Sequence, residues 1–236
     1  MTTLRQVGGA ESRVMKGEPT RAGDGREPRR SRASAGRLSL YLRSLEGFVR
    51  EGIAKVSSGQ LGNALGVTDA QVRKDLAYFG QFGYPGIGYR CSELIDAIKG
   101  ILGTKQPWPL AIVGLGNLGR ALMGYRGFQQ QGFQIVAAFD TDPAKIGKSV
   151  EGIEIFDLDQ VQRIAGERRI RLAIIAVPAT AAQKVADALV AAGIEGILNF
   201  APVTLTLPKQ IQTIGVDLAI ELEQLAFAVA NQLRPD

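Results

Sequence analysis

The stretch AIVGLGNLGRAL, residues 111–122, decides the fold. Its apolar start reads as a buried strand, and Gly114, Gly116 and Gly119 fit the pattern G-x-G-x-x-G. The apolar residues that follow return at helical spacing. In such a turn the first glycine lets the chain reverse, the second lets backbone amides approach a pyrophosphate, and the third lets the helix pack closely on its strand. The amides of Leu115, Asn117 and Leu118 then face the phosphates at the helix start. Glycine spacing alone is common. Here the next apolar segment ends in FDTD, which puts Asp140 at the distance expected of an acid that accepts hydrogen bonds from a ribose. A carboxylate there repels a 2′-phosphate, so the pocket is predicted to take NADH or NAD+ in preference to the phosphorylated forms. The plainer alternative for Asp140 is a loop carboxylate that caps DPAKIG. Lys145 either reaches the adenine side or the phosphates, or is a solvated surface lysine.

Downstream the strand and helix patterns alternate to the end of the chain. Strands are expected at residues 110–113, 134–139, 153–155, 172–177, 196–199 and 203–207, and helices at 117–123, 158–164, 179–192 and 217–231. Apolar strands with helical crossovers imply a parallel sheet covered on both faces, so the class is α/β with a Rossmann-type sheet. In that architecture a ligand crosses the carboxyl ends of the strands where their order reverses. Val177 and Pro178 in AVPAT, and Asn199 and Pro202 in NFAPV, are therefore further cofactor-binding candidates, although ordinary turn chemistry also accounts for both loops.

Upstream the pattern is different. Leu38, Tyr41, Leu42, Leu45, Phe48 and Val49 make one apolar stripe of a helix. Next, VSSGQLGNALGVTDAQVRKDLAYFG supplies two short helices around a tight turn: Ser57 can cap the first, Gly66 offers the left-handed turn residue and Thr68 can cap the second. This is a helix-turn-helix, whose last helix suits a major groove of double-stranded DNA. Gln71, Arg73, Lys74 and Tyr78 are the polar groups its apolar stripe does not need, with Gln71, near the helix start, best placed for a base edge. GQFGYPGIGYRC suits a β-hairpin wing whose Tyr84, Tyr89 and Arg90 reach the backbone or minor groove. A helical hairpin with two basic residues also occurs in proteins that never touch nucleic acid.

Charge supports the DNA reading. Residues 1–37 hold nine basic and four acidic side chains, which accounts for the whole net charge of +5. Poor in apolar residues, they read as a disordered arm, either a solvated tail or a source of loose phosphate contacts. The expected divisions are an arm at 1–37, a winged-helix head at 38–105, a Rossmann domain at 106–216 and a last helix at 217–236. That helix, DLAIELEQLAFAVANQL, is apolar nearly all round, which suits burial against more than one surface, including a partner subunit in a homodimer that takes it as a swapped element; periodicity alone equally allows a helix packed in its own core. With no histidine and a single cysteine, zinc sites and Ser-His or Cys-His catalysis are not expected, and no metal is predicted. No apolar run is long enough for a membrane span, and no secretory signal is evident, so a cytoplasmic location is expected.

A dinucleotide pocket invites the reading of a small dehydrogenase. Hydride transfer, however, needs a positioned substrate and usually an acid or base, and the chain beyond residue 110 has no spare substrate domain. A coenzyme A-binding domain is a second alternative, since it shares the glycine turn and the AVP strand end.

YLRSLE, QVRKDLAYFGQFGYPGIGY, IVGLGNLGRAL, FDTDPAKIG and GILNFAP together make residues 38–236 resemble the redox-sensing transcriptional repressors of the Rex family. The resemblance implies a winged-helix head on a Rossmann domain and a homodimer that exchanges its C-terminal helices. It also implies a palindromic operator that is released when NADH binds, with no catalysis. It further implies a nicotinamide-sensitive cluster at Arg43, Tyr125 and Asp217. From periodicity alone these three read as a surface charge, a helix-end aromatic and an N-cap. The long basic N-terminal extension and Pro85 in the wing depart from the family pattern.

Overall fold

A computed structural model describes residues 32–83 and 86–232. The arm up to residue 31, Tyr84 and Pro85 lie outside the described residues. Helix α1 (Arg32–Arg50) buries Leu38, Tyr41, Leu42 and Leu45 along one face, at the intervals of three and four that a helix requires. It starts inside the stretch expected as an arm ending at residue 37. The correction has a local cause: Arg37 is drawn into the head by two hydrogen bonds to Asp75, at 2.6 and 2.9 Å.

A two-residue strand, β1 (Lys55–Val56), leads into α2 (Ser58–Leu65) and α3 (Asp69–Phe79). Ser57 and Gln60 form a reciprocal capping box, Gly66 ends α2 at φ 68°, and the Thr68 hydroxyl accepts from the Gln71 amide at 3.1 Å. The helix-turn-helix therefore follows from its caps as the sequence implies. The wing does not. β2 (Tyr89–Arg90) pairs antiparallel with β1, Val56 opposite Tyr89, and no strand forms at 81–83. Positive φ at Gly80, Gly83, Gly86 and Gly88 turns the first arm of the expected hairpin into a series of bends, so β2 finds its partner ahead of α2. Helix α4 (Cys91–Leu102) closes the head against α1 through Leu94 and Ile98. Cys91 is fully buried at its start, and burial pushes its thiol pKa up.

The second domain holds β3 (Trp108–Val113), α5 (Asn117–Met123), α6 (Arg126–Gln130), β4 (Phe133–Asp140), β5 (Ser149–Val150), β6 (Ile153–Asp157) and α7 (Val161–Glu167). It continues with β7 (Leu172–Ile175), α8 (Ala179–Ala191), β8 (Gly196–Asn199), β9 (Gln212–Gly215) and α9 (Leu218–Gln232). The sheet order is β5-β6-β4-β3-β7-β8-β9, with every pairing parallel except β5 with β6. The chain winds from β3 out to β6 and then returns to β7 on the other side, so the order reverses between β3 and β7. Val113, Phe139 and Ile175 line one face under α7 and α8, while Ile112, Ala138 and Ile174 line the other with α5 and α6.

The strand expected at 203–207 is absent. Its alternation is real, since Leu205 packs into the core, but its backbone partner is a side chain. The Gln183 amide on α8 accepts from Thr206 N at 2.9 Å and donates to Thr206 O at 3.0 Å. The outer parallel strand is β9, further along the chain. Helix α9 leaves Leu218, Leu222, Leu225 and Phe227 exposed, the last at 73 %. Among the described residues no helix is long and apolar enough to cross a membrane.

Candidate nucleotide groove and nucleic-acid face

The glycine turn closes on itself. Gly114 (φ 93°) donates its amide to Phe139 O at 2.8 Å, and a Cβ there would stand 2.6 Å from Ala176 O and Val177 Cγ1. A Cβ on Gly119 would stand 1.9 Å from Gly114 O. These two glycines let the turn, the helix and the neighbouring strand end meet. Gly116 is different: a Cβ there meets no atom within 4 Å, and it N-caps α5. Close packing of this protein does not require that glycine, and its missing side chain leaves the backbone at the start of α5 open to approach.

Asp140 ends β4 beside this turn, with 9 % of its surface exposed. Its Oδ2 accepts from Leu115 N at 2.8 Å and Lys145 Nζ at 2.9 Å, and its Oδ1 from Asp142 N at 2.9 Å, so the Leu115 amide, expected to face the phosphates, is instead taken by the neighbouring carboxylate. Burial works to raise the pKa of this carboxyl, but the two backbone amides and the ammonium outweigh it and hold it below the usual carboxylate range. Lys145 is no free surface lysine: its pairing with Asp140 raises its pKa, and Asp142 lies 3.6 Å away. A carboxylate offers about four acceptor directions, and three are taken, so one remains for a hydroxyl. That free acceptor direction fits a hydroxyl donor such as that of a ribose.

Strand register places the other candidates on this edge, with Val113 opposite Ile175 and Ile175 opposite Asn199. Val177 packs near Gly114, Pro178 N-caps α8 in an extended conformation (ψ 152°), and Pro202 is exposed. Asn199 is largely committed to its own loop. Its amide donates to Ala201 O at 3.1 Å and Val203 O at 2.9 Å, and its oxygen accepts from Ala201 N at 3.0 Å. Its role is to shape the loop that carries Pro202.

Tyr125 follows Gly124, the C-cap of α5, N-caps α6 and is 55 % exposed. It lines a largely apolar cavity of about 400 Å³ together with Arg43 of the head and Phe128, Leu198 and Ile214 of the sheet domain. Two members of the expected cluster thus share one wall. The third, Asp217, is not among the residues lining that cavity. It caps α9, its Oδ1 accepting from Ala219 N at 2.9 Å.

On the head, α3 presents Arg73, Lys74 and Tyr78 to solvent. Arg73 holds Asp69 at 2.6 Å and Ser58 at 3.0 Å, a tie between α2 and α3, and this pairing lowers the Asp69 pKa. Gln71, expected to read a base, faces the other way: its Nε2 donates to Asp75 Oδ1 at 2.7 Å. One buried carboxylate thus gathers Gln71, Arg37 and the Tyr41 hydroxyl (2.8 Å), because Asp75 lies beside Val72 and Leu76 on the inward face of α3. Burial would raise its pKa, but the hydrogen bonds from these three outweigh burial and lower it. Arg90 pairs with Glu93 at 2.9 Å, and Tyr89 is buried against the head core, which raises its pKa. Asp75 escaped the sequence reading, though an acid between two apolar positions of one helix face marks it. No group of three or more potential metal ligands occurs among the described residues.

Comparison with known proteins agrees with both halves. A family model described as "Putative DNA-binding protein N-terminus" matches residues 31–77, and one described as "CoA binding domain" matches 105–203. The "Redox-sensing transcriptional repressor Rex" of Desulforamulus reducens is 48 % identical over 198 residues, 84 % of this chain and 94 % of the relative. The crystal structure of RSP in complex with β-NAD+ and operator DNA superimposes with a TM-score of 0.81 at 34 % identity, covering 86 % of this chain and 93 % of RSP. RSP in complex with β-NADH gives 0.77 at 32 % identity, covering 87 % and 97 %.

Proposed function

The chain belongs to the Rex family of redox-sensing transcriptional repressors. From that premise we propose that its head holds operator DNA and releases it when NADH fills the groove beside Gly116 and Asp140. The protein is a regulator and turns over no substrate. One observation carries the coupling: Arg43 of the DNA-binding head and Tyr125, two residues past the glycine-turn helix, line the same cavity. A change on the cofactor side therefore has a wall in common with the head.

When bound, the nicotinamide supplies the signal, since its two-electron reduction removes the positive charge of the ring. The rest belongs to the chain. Gly116 admits the pyrophosphate, Asp140 takes the ribose hydroxyls, and Val177, Pro178 and Pro202 border the groove. Arg73 and Lys74 face DNA, with Tyr78 and Arg90 beside them. Asp217 reaches the Arg43–Tyr125 wall from a second copy, because the exposed apolar surface of α9 needs cover and the cavity beneath Arg43 is apolar. Exchange of α9 in a homodimer meets both needs and sets two heads at a fixed spacing, which suits a palindromic operator. Acting on DNA, the protein works in the cytoplasm.

Linkage fixes the sign and the symmetry. If NADH lowers operator affinity by some factor, operator DNA lowers NADH affinity by the same factor; a difference of about 3 kcal/mol corresponds to roughly 150-fold. The match to a CoA binding domain supports a rival ligand, but a phosphorylated ribose meets the Asp140 carboxylate at close range. The test is anisotropy of a labelled palindromic operator at fixed salt while the NADH/NAD+ ratio is stepped, with coenzyme A as competitor for NADH. Release by NADH is expected. Operator affinity indifferent to NADH refutes the reading.

A further inference from the structure

A run of contacts within one chain leads from Tyr125 to the head. Helix α6 runs from its N-cap Tyr125 to its C-cap Gln131. At the first end the Tyr125 ring covers Gly127 so closely that a Cβ on Gly127 would stand 2.4 Å from Tyr125 Cζ. The same ring meets Phe128 edge-on, with centroids 5.1 Å apart. At the far end Gln131 Nε2 donates to Glu46 Oε2 on α1 at 3.1 Å, bridging the sheet domain and the head. The other oxygen of Glu46 takes Lys99 Nζ at 2.9 Å, which fixes that carboxylate between α1 and α4. Farther up, α1 carries Arg37 and Tyr41, both bonded to Asp75 on α3.

Resting on the reading that the groove takes NADH and the head takes DNA, we propose that α6 and the Gln131–Glu46 hydrogen bond pass the cofactor signal to α3 within one chain. Gly127, Gln131 and Glu46 are then positioning residues: none needs to touch cofactor or DNA. The physical case is stiffness. A helix of five residues has no slack to absorb a shift of Tyr125, because the ring is seated on the helix's own backbone. A part-buried hydrogen bond to a carboxylate that already holds an ammonium passes the shift to α1. The buried Asp75 cluster then ties α1 to the reading helix, so α1 and α3 move as one body. Packed elements joined this way rearrange between discrete arrangements.

The test uses the full chain with Gln131→Ala and, as a second variant, Gln131→Asn, whose amide is one methylene short of Glu46. Three quantities are measured: NADH affinity, operator affinity without cofactor, and operator affinity at saturating NADH. The first two are expected to stay within about twofold of the parent, while the factor by which NADH weakens operator binding shrinks about fivefold or more. Glu46→Ala added to Gln131→Ala should change that factor no further, since both remove one link. Gly127→Ala, which pushes the Tyr125 ring aside, should reduce it as well. A full NADH response in both Gln131 variants overturns the route and leaves the sensing function standing. Absence of any response in the unaltered chain overturns both.

Discussion

Asp75→Asn keeps the shape of the side chain and removes its charge, which turns one face of the acceptor into a donor. Four hydrogen bonds end on this carboxylate: two from Arg37, one from the Tyr41 hydroxyl and one from Gln71. They differ in cost. Tyr41 is 1 % exposed, so a hydroxyl left without its acceptor costs about 1–3 kcal/mol. Arg37 is more than a third exposed and regains water, which limits its share to under about 1 kcal/mol. The sum is about 1–4 kcal/mol, set against the roughly 5–15 kcal/mol that holds a domain together. For a head of this size the melting temperature should fall by about 4–30 °C, read by circular dichroism. Acid provides the control. The folded pKa of Asp75 lies below its unfolded value, so its contribution is present above about pH 4 and is lost as pH falls through the folded pKa. The gap between parent and variant should therefore narrow below about pH 4. Tyr41→Phe should cost less in the Asn background than in the parent. A loss under about 0.5 kcal/mol at neutral pH, or a gap that widens on acidification, refutes the account.

Two further outcomes separate packing from binding. Gly116→Ala should fold and melt like the parent, since its Cβ meets nothing within 4 Å, yet weaken NADH about tenfold or more in a fluorescence titration; Gly119→Ala should lower the melting temperature even without cofactor, because its Cβ would meet Gly114 O. Phe227→Asp puts a charge on the most exposed apolar position of α9 and should shift the dimer toward monomer in sedimentation, with operator affinity falling alongside.

Local signals in the sequence translated directly where one short segment settles its own geometry. Ser57, Gly66 and Thr68 cap as their types imply, and Gly114, Gly116 and Gly119 lie at the end of a buried strand next to Asp140. What escaped depends on partners distant in the chain. Nothing near Thr206 announces that Gln183 will pair with its backbone, and nothing near Tyr89 announces that its strand belongs with Val56. Gln71 shows the same limit at the site: its type and helix position suit a base edge, but an acid four residues on takes its amide. Asn199 likewise sits on the right edge and spends its side chain on its own loop.

Cys91 is the chain's one sulfhydryl, and it is 0 % exposed, held as the unreactive thiol by burial. Peroxides and disulfides attack thiolates that they can reach, and the folded head offers them none. A repressor built this way keeps thiol oxidation out of its folded head. Its redox response then comes through the nicotinamide and not through thiol chemistry in the folded head.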